Sequence, residues 1–82
     1  LNDYNDRNTV VAHLSLDHNE RAMELLAAMP KDAVTEYLRA IACSRLGRKA
    51  EGREHFLEAC RLDGRMEYRG NLDPEIAELL KM

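Results

Sequence analysis

Residues 33–63, AVTEYLRAIACSRLGRKAEGREHFLEACRLD, contain two amphipathic helical patterns joined by a short turn. Asp32 precedes the first pattern as an N-cap, and Gly47 follows it, where a left-handed residue ends many helices. One face of the first helix, at i, i+3, i+4, i+7 spacing, is formed by Val34, Tyr37, Leu38, Ile41 and Arg45. The second helix directs inward Phe56, Leu57, Ala59 and Cys60. A hairpin of this kind cannot bury both apolar faces by itself, so the fold needs neighbouring helices.

An earlier hairpin is predicted at about residues 6–29. Its first helix begins at Asn5 or Asp6, since both are good N-cap residues. Its second helix is capped by Asn19 and stopped by Pro30, because a proline pushes the residue before it out of helical geometry. Alternating apolar and polar runs typical of strands are missing from the sequence, and the predicted fold class is therefore all-α.

The segment after the second hairpin predicts a connector and a final helix. Residues 64–72 carry Met66 and Tyr68, which we expect to pack inward from a non-helical connector. Asp73 and the proline that follows it supply an N-cap and a first helical residue. A C-terminal capping helix is therefore predicted over residues 73–82.

Length and charge restrict the class of protein. Residues 1–82 make a single domain, which would bury only about 60–65% of the surface that its unfolded chain exposes. The chain starts at Leu1 rather than at methionine, and we expect it to be a fragment of a longer protein, since helical-repeat stacks usually need about three repeats. The net charge of −3 argues against a nucleic-acid partner. No apolar run approaches the ~18 residues of a membrane span, so membrane insertion is not expected.

No set of residues in the sequence predicts catalysis. His13, His18 and His55 lack the i, i+4 spacing of helical metal ligands. Cys43 and Cys60 occupy apolar helix positions, where cysteine behaves as a small hydrophobe. The chain has no serine–histidine–aspartate arrangement, no phosphate-binding glycine loop and no Cys-x-x-Cys pair. We therefore predict no enzymatic activity, no metal site and no cofactor.

The two predicted hairpins align with a period of 30 residues when Leu16 is placed on Leu46. Residues of matching size then coincide, in the pairs Ala22 and Gly52, Leu26 and Phe56, and Met29 and Ala59. A small residue lets two helices cross closely, and a large residue beside it fills the groove.

Residues 33–63 resemble a tetratricopeptide repeat, and residues 10–29 resemble one more weakly. The resemblance rests on a small first-helix residue, the turn and the second helix, at Ala40, Leu46, Gly47, Phe56, Ala59, Leu62 and Asp63. The chain departs from the family pattern at Gly52, Gly64 and Asp17, where alanine, proline and glycine are usual. The resemblance implies antiparallel helical hairpins stacked as a short right-handed superhelix, whose first helices line a concave peptide-binding surface.

The resemblance also places candidate partner-binding residues on that concave face. They are Arg7, Val11, Leu14 and Ser15 in the first hairpin and Tyr37, Ile41, Ser44 and Arg45 in the second. The function it implies is a protein-interaction module or scaffold that binds a peptide or a partner protein. A simpler interpretation has Tyr37 and Ile41 packing against a neighbouring helix instead.

Two other functions stay open. One is a structural oligomerisation unit, in which the open N-terminal end of the stack is covered by missing sequence or by a second copy. Val11→Glu or Leu14→Glu is then expected to abolish self-association. The other is DNA binding by a helix-turn-helix at residues 20–46, which needs side chains that reach base edges at the start of its second helix. Ala33 and Val34 stand there, so this function is the least favoured.

Overall fold

The structure, a computed structural model, describes residues 7–81 and consists of helices joined by short turns. The helices are α1 (Arg7–Ser15), α2 (Asn19–Ala27), α3 (Ala33–Arg45), α4 (Lys49–Leu62), α5 (Arg65–Asn71) and α6 (Pro74–Leu80). Within these residues there is no strand, and the all-α prediction is confirmed. The helix start predicted at Asn5 or Asp6 lies outside the described residues.

The turns between α1 and α2 and between α3 and α4 have the same backbone geometry. Asp17 and Gly47, thirty residues apart, both adopt the left-handed conformation, with φ of 60° and 79°. In each turn the next amide donates a hydrogen bond of 2.8 Å to the carbonyl five residues back, from His18 to His13 and from Arg48 to Cys43. This is the six-residue bond that closes many helix ends. The 30-residue period is therefore present in the backbone as well as in the sequence.

Of the three N-caps that were predicted within the described residues, two are confirmed. The Asp32 carboxylate accepts a hydrogen bond of 2.8 Å from the Thr35 amide, and the Asp32 amide donates one of 2.9 Å to the Thr35 hydroxyl. Asp73 also caps its helix, α6, because its carboxylate accepts a hydrogen bond of 3.0 Å from the Glu75 amide. The prediction for Asn19 is wrong, because Asn19 is already the first residue of α2. The N-cap position falls on His18, whose side chain makes no capping hydrogen bond.

The segment predicted as a non-helical connector forms α5 instead. Met66 and Gly70 lie four residues apart on its inner face, and both are buried. Gly70 sits directly against the ring of Phe56 on α4. A glycine in this segment looks like a turn residue in the sequence, but here it allows a helix to approach an aromatic ring closely.

The apolar core divides into two clusters that meet on α3. The first joins α1 and α2 to α3 and contains Val10, Leu14, Ala22, Leu25, Leu26, Leu38 and Ala42. The second joins α3 and α4 to α5 and α6 and contains Tyr37, Ala40, Phe56, Ala59, Met66, Ile76 and Leu79. α3 is therefore the central helix, contacting α2, α4, α6 and α1.

Candidate interaction surface

The candidate face of α3 is covered by α6. Tyr37 is only 1% exposed, and its hydroxyl donates a hydrogen bond of 2.8 Å to the Asp73 carboxylate at the start of α6. Its ring meets Phe56 edge-on, with centroids 6.1 Å apart, and the guanidinium of Arg69 lies 4.8 Å from its centroid. Burial, followed by the hydrogen bond and charge of Asp73, raises the pKa of Tyr37 well above its usual value. Tyr37 therefore anchors α6 and is not available to a partner.

Arg45 is also engaged within the chain, at the point where α1, α3 and α6 meet. Its Nη1 donates a hydrogen bond of 2.6 Å to the Leu14 carbonyl, and its Nη2 donates one of 2.7 Å to the Glu75 carboxylate. The hydrogen bond that Arg45 donates to the Glu75 carboxylate raises the pKa of the Arg45 guanidinium. Ile41 packs beside the second core cluster, and Ser44 is partly buried. The interpretation of Tyr37 and Ile41 as packing residues thus describes the contacts better than an open groove does.

Replacing Tyr37 with phenylalanine is expected to destabilise the fold by about 1.5 kcal/mol, since a hydrogen bond to a charged group contributes about 1.5–3 kcal/mol and Asp73 keeps its role as a helix cap. Thermal unfolding at pH 7 measures the change, and a fall in Tm of roughly 6–12 °C is expected for a domain of this size. Tyr68, which is 72% exposed, supplies the matched control. Tyr68→Phe should leave the Tm within about 4 °C of the wild type, because surface substitutions rarely exceed about 0.5 kcal/mol.

The raised pKa of Tyr37 also predicts an alkaline dependence of stability. A group whose pKa is higher in the folded state contributes its full stability below its unfolded pKa, about 10 for tyrosine, and loses it as the pH rises towards the folded value. Wild-type stability should therefore fall above about pH 10 more steeply than that of Tyr37→Phe. Equal slopes for the two proteins would contradict the buried hydrogen bond.

The candidate residues of α1 separate into buried and exposed positions. Leu14 is 6% exposed and belongs to the first core cluster. The exposed candidates are Arg7, Val11 and Ser15. The Ser15 hydroxyl donates a hydrogen bond of 2.9 Å to the Val11 carbonyl one turn earlier. Leu14→Glu is therefore no test of self-association, because it would place an unpaired charge in the core.

We define the outer face of α1 as the side of this helix, with the adjoining turn residue, that carries Asn8, Val11, Ala12, Ser15 and Leu16. Val11 is 47% exposed and Leu16 is 59% exposed, although both are large and apolar. Thirty positions after Asn8 and Ala12 stand Leu38 and Ala42, which are buried in the cluster that α2 completes. Thirty positions after Val11 stands Ile41, which packs beside the second cluster instead. The side of α3 that α2 covers thus corresponds to a side of α1 that lies exposed.

The outer face of α1 is also free of charged side chains, because none of its five residues ionises. α1 has no acidic residue at all. The exposed surfaces of α2 and α4 differ from it, since they carry Glu20, Glu24, Lys49, Glu51, Arg53 and Glu54. Depletion of charge around exposed apolar residues is the composition found at the centre of protein–protein interfaces.

Leu16 is not among the candidate site residues of the sequence analysis, where it serves only to align the two hairpins. The signal that would have found it is its correspondence to Leu46 in the 30-residue period. Leu46 is partly buried in its own hairpin, whereas Leu16 is mostly exposed. The two hairpins therefore differ in how far they cover this apolar residue.

Other exposed apolar residues lie among charges. The prediction that Tyr68 packs inward is wrong, because Tyr68 is exposed on the outside of α5. It lies near Arg65 and Arg69, as does the exposed Leu72 that follows the helix. Leu57 borders a groove lined by ion pairs, which include Lys31 with Glu58 at 2.5 Å. The hydrogen bonds from Arg61 and Lys31 lower the pKa of Glu58 to about 2. Single apolar residues in such surroundings are ordinary surface features.

The described residues offer little reactive chemistry. Cys43 is buried and Cys60 is partly buried, both as free thiols, and burial raises the pKa of each. A raised thiol pKa keeps the fraction of nucleophilic thiolate low. Between residues 7 and 81 no three histidine, cysteine or acidic side chains converge as metal ligands. In the same range, no helix has the length and apolar character needed to cross a membrane.

Comparison of the chain with models of known protein families, with curated proteins and with solved structures gives no match. Any proposal of function therefore rests on the geometry of the described residues. The feature that such a proposal can use is the exposed, uncharged outer face of α1.

Proposed function

We propose that the protein is a protein-interaction module, built of tetratricopeptide-like helical hairpins, that takes a helix of a partner protein on the outer face of α1. The observation that supports this proposal is the contrast between α1 and α3. α2 covers Leu38 and Ala42, whereas their counterparts Asn8 and Ala12 are exposed and partly exposed. They lie in an uncharged surface with Val11 and Leu16, which are 47% and 59% exposed. A partner helix would occupy on α1 the place that α2 occupies on α3.

The physical basis is burial of apolar surface with little electrostatic cost. Completing the burial of one large aliphatic side chain that is already half covered contributes about 1 kcal/mol, since full burial contributes about 1.5–3 kcal/mol. Ala12 lies between Val11 and Leu16 and adds no bulk, so a second helix can approach closely. No charged group on the face has to be desolvated, which would otherwise oppose association.

The concave face of α3 supports the proposal less well as the binding surface. α6 lies over it, with Tyr37 bonded to Asp73 and Arg45 bonded to Glu75. A peptide partner there would first have to displace these contacts. Of the concave-face candidates, Val11 and Ser15 belong to the outer face of α1 and are retained in the proposal. Arg7 stands at the edge of that face.

A helix-turn-helix function is not part of the proposal. The first turns of α3 would have to enter the major groove of DNA. Thr35, Glu36 and Tyr37 in those turns are 1%, 2% and 1% exposed, so they have no free surface to offer a base edge. Arg45, the last residue of α3, is held by Glu75.

Leu16→Glu tests the proposed surface, and Leu72→Glu is its matched control. Both replace an exposed leucine, of 59% and 70% exposure, with a charged residue, but Leu72 lies after α5 at a distance in sequence from α1. The wild type and both variants are immobilised and exposed to an extract of the cells in which the protein naturally occurs. The proteins that each of them retains are then compared. A protein retained by the wild type and by Leu72→Glu, and lost with Leu16→Glu, is the expected result.

The same comparison states what would contradict the proposal. If all three baits retain the same proteins to the same extent, the outer face of α1 is not the interaction surface. Circular dichroism of each immobilised protein, recorded beforehand in solution, tests whether Leu16→Glu is folded. We expect it to be folded because the side chain at position 16 is mostly exposed to solvent.

A further inference from the structure

We infer that His13 and His18 form a binding site for a zinc ion, which the Nδ1 atoms of the two imidazoles would hold. These two atoms lie 3.4 Å apart. The inference does not depend on the proposed function, because neither histidine belongs to the outer face of α1. It depends on the match between this distance and the separation of two ligands on a tetrahedral ion.

The turn between α1 and α2 brings the two histidines together. Five residues along a continuous helix would place them about 140° apart around its axis, which is why their spacing in the sequence predicted no metal site. α1 ends at Ser15, however, and the left-handed Asp17 turns the chain. The His18 amide then donates a hydrogen bond of 2.8 Å to the His13 carbonyl. In turns of this type, side chains at these two positions are frequently in contact.

The distance between the Nδ1 atoms fits zinc better than it fits a hydrogen bond. Zinc binds imidazole nitrogen at about 2.0–2.1 Å in tetrahedral geometry, so two such ligands stand about 3.3–3.4 Å apart. Hydrogen bonds from N–H groups to oxygen usually measure about 2.7–3.2 Å. Neighbouring ligands in the square-planar geometry of Cu²⁺ would stand only about 2.8–3.0 Å apart. The two rings are also tilted by 42°, so they do not stack face to face.

The turn does not need histidine at either position. Thirty residues later the same two positions carry Cys43 and Arg48, and the Arg48 amide donates the same hydrogen bond of 2.8 Å to the Cys43 carbonyl. His18 and Arg48 have similar backbone conformations, with φ of −85° and −94°. His18 stands at the N-cap of α2, but its side chain makes no capping hydrogen bond. The two imidazoles are therefore a feature of the first turn that its backbone does not require.

Two imidazoles supply only part of the coordination shell of the ion. Within residues 7–81 no third histidine, cysteine or acidic side chain joins them. His18 is exposed and His13 is partly buried, so water can reach the ion and fill its other positions. Structural zinc sites take four protein ligands. A weaker site, from which zinc exchanges, is therefore expected here.

The charges beside the turn favour a cation. Asp17 and Glu20 line an open groove together with His18, and the Asp17 side chain is 85% exposed. Two arginines approach the same region, but each is paired with a glutamate, in the pairs Arg21 and Glu24 at 2.9 Å and Arg45 and Glu75 at 2.7 Å.

Titration of the reduced protein with Zn²⁺, followed by calorimetry, tests the site. The wild type should bind one ion per chain. His13→Gln and His18→Gln each remove one ligand and should raise the dissociation constant at least about tenfold, which corresponds to about 1.4 kcal/mol. Cys60→Ser is the control, because thiolate is the other strong zinc ligand and Cys60 is the less buried of the two free thiols. This variant should bind zinc as the wild type does.

Nitrogen NMR of the imidazole rings locates the bound ion. The Nδ1 signals of His13 and His18 should shift together as Zn²⁺ is added. The signals of His55, whose Nδ1 contacts the Glu36 carboxylate, should stay in place. Circular dichroism tests whether each variant is folded, and His18→Gln is the decisive variant because its side chain is exposed.

Any of three results would overturn the inference. The first is a wild type that binds no Zn²⁺ at concentrations up to about 1 mM, the range of weak binding. The second is a folded His18→Gln variant that binds zinc as tightly as the wild type. The third is an ion that shifts the signals of His55 and leaves those of His13 and His18 unchanged.

Discussion

Replacing Gly70 with alanine is expected to destabilise the fold by about 2–3 kcal/mol, because overpacking a filled core costs about 1–3 kcal/mol or more. A Cβ atom at this position would lie 2.4 Å from Cε1 and 2.5 Å from Cζ of Phe56, and 3.1 Å from Cγ2 of Ile76. The Phe56 ring cannot move aside freely, since it is 3% exposed and is packed edge-on against Tyr37. The loss outweighs the gain of up to about 1 kcal/mol that alanine brings to a helix interior.

Thermal unfolding measures this effect, and a fall in Tm of roughly 10–20 °C is expected for 2–3 kcal/mol in a domain of this size. Gly64→Ala is the matched control, because a Cβ atom there meets nothing within 4 Å. It should change stability by less than about 0.5 kcal/mol. A Gly70→Ala variant as stable as Gly64→Ala would mean that α5 does not pack directly on Phe56.

Local sequence patterns predicted those helices whose ends and faces have local causes. The N-caps Asp32 and Asp73 and the left-handed Gly47 act through neighbouring backbone groups, and the structure confirms them. α5 was missed because its cause is not local. Gly70 is buried by a ring fourteen residues earlier in the chain, and nothing in its own segment indicates that contact.

The candidate site was harder to predict for the same reason. The resemblance implied that Tyr37 and Arg45 line a concave surface, but their partners Asp73 and Glu75 lie 36 and 30 residues further along the chain. Which exposed-looking positions become covered depends on where α6 docks. Of the two residues that the sequence analysis placed at an open N-terminal end, Val11 is 47% exposed and Leu14 is buried, and the more exposed Leu16 was not named.

The second large effect is expected at Glu36, a carboxylate that is 2% exposed and joins three helices. It accepts hydrogen bonds from Arg39 at 3.0 Å and pairs with His55 of α4 at 2.5 Å. Arg39 in turn donates a hydrogen bond of 2.5 Å to the carbonyl of Leu26 in the last turn of α2. Glu36 thus holds the groups that connect α2 and α4 to α3.

Replacing Glu36 with alanine is expected to destabilise the fold by about 3–4 kcal/mol, because removing one partner of a buried ion pair leaves the other charge without compensation. The charge left behind is that of Arg39, whose side chain is 16% exposed and whose Nε already makes no hydrogen bond within the described residues. Denaturant unfolding measures the change. Glu24→Ala is the control, since Glu24 forms an exposed pair with Arg21 and an exposed pair contributes about 0–1 kcal/mol.

A double variant separates the loss of attraction from the uncompensated charge. If the cost of Glu36→Ala comes mainly from the stranded guanidinium, then adding Arg39→Met, which removes that charge and keeps an apolar stem, should restore about 1–2 kcal/mol. If the cost comes mainly from lost contacts between α2, α3 and α4, the second substitution should destabilise the protein further, because it also removes the bond to the Leu26 carbonyl. Burial of Glu36 to 2% favours the first result, since an unpaired charge is most costly where water cannot reach it.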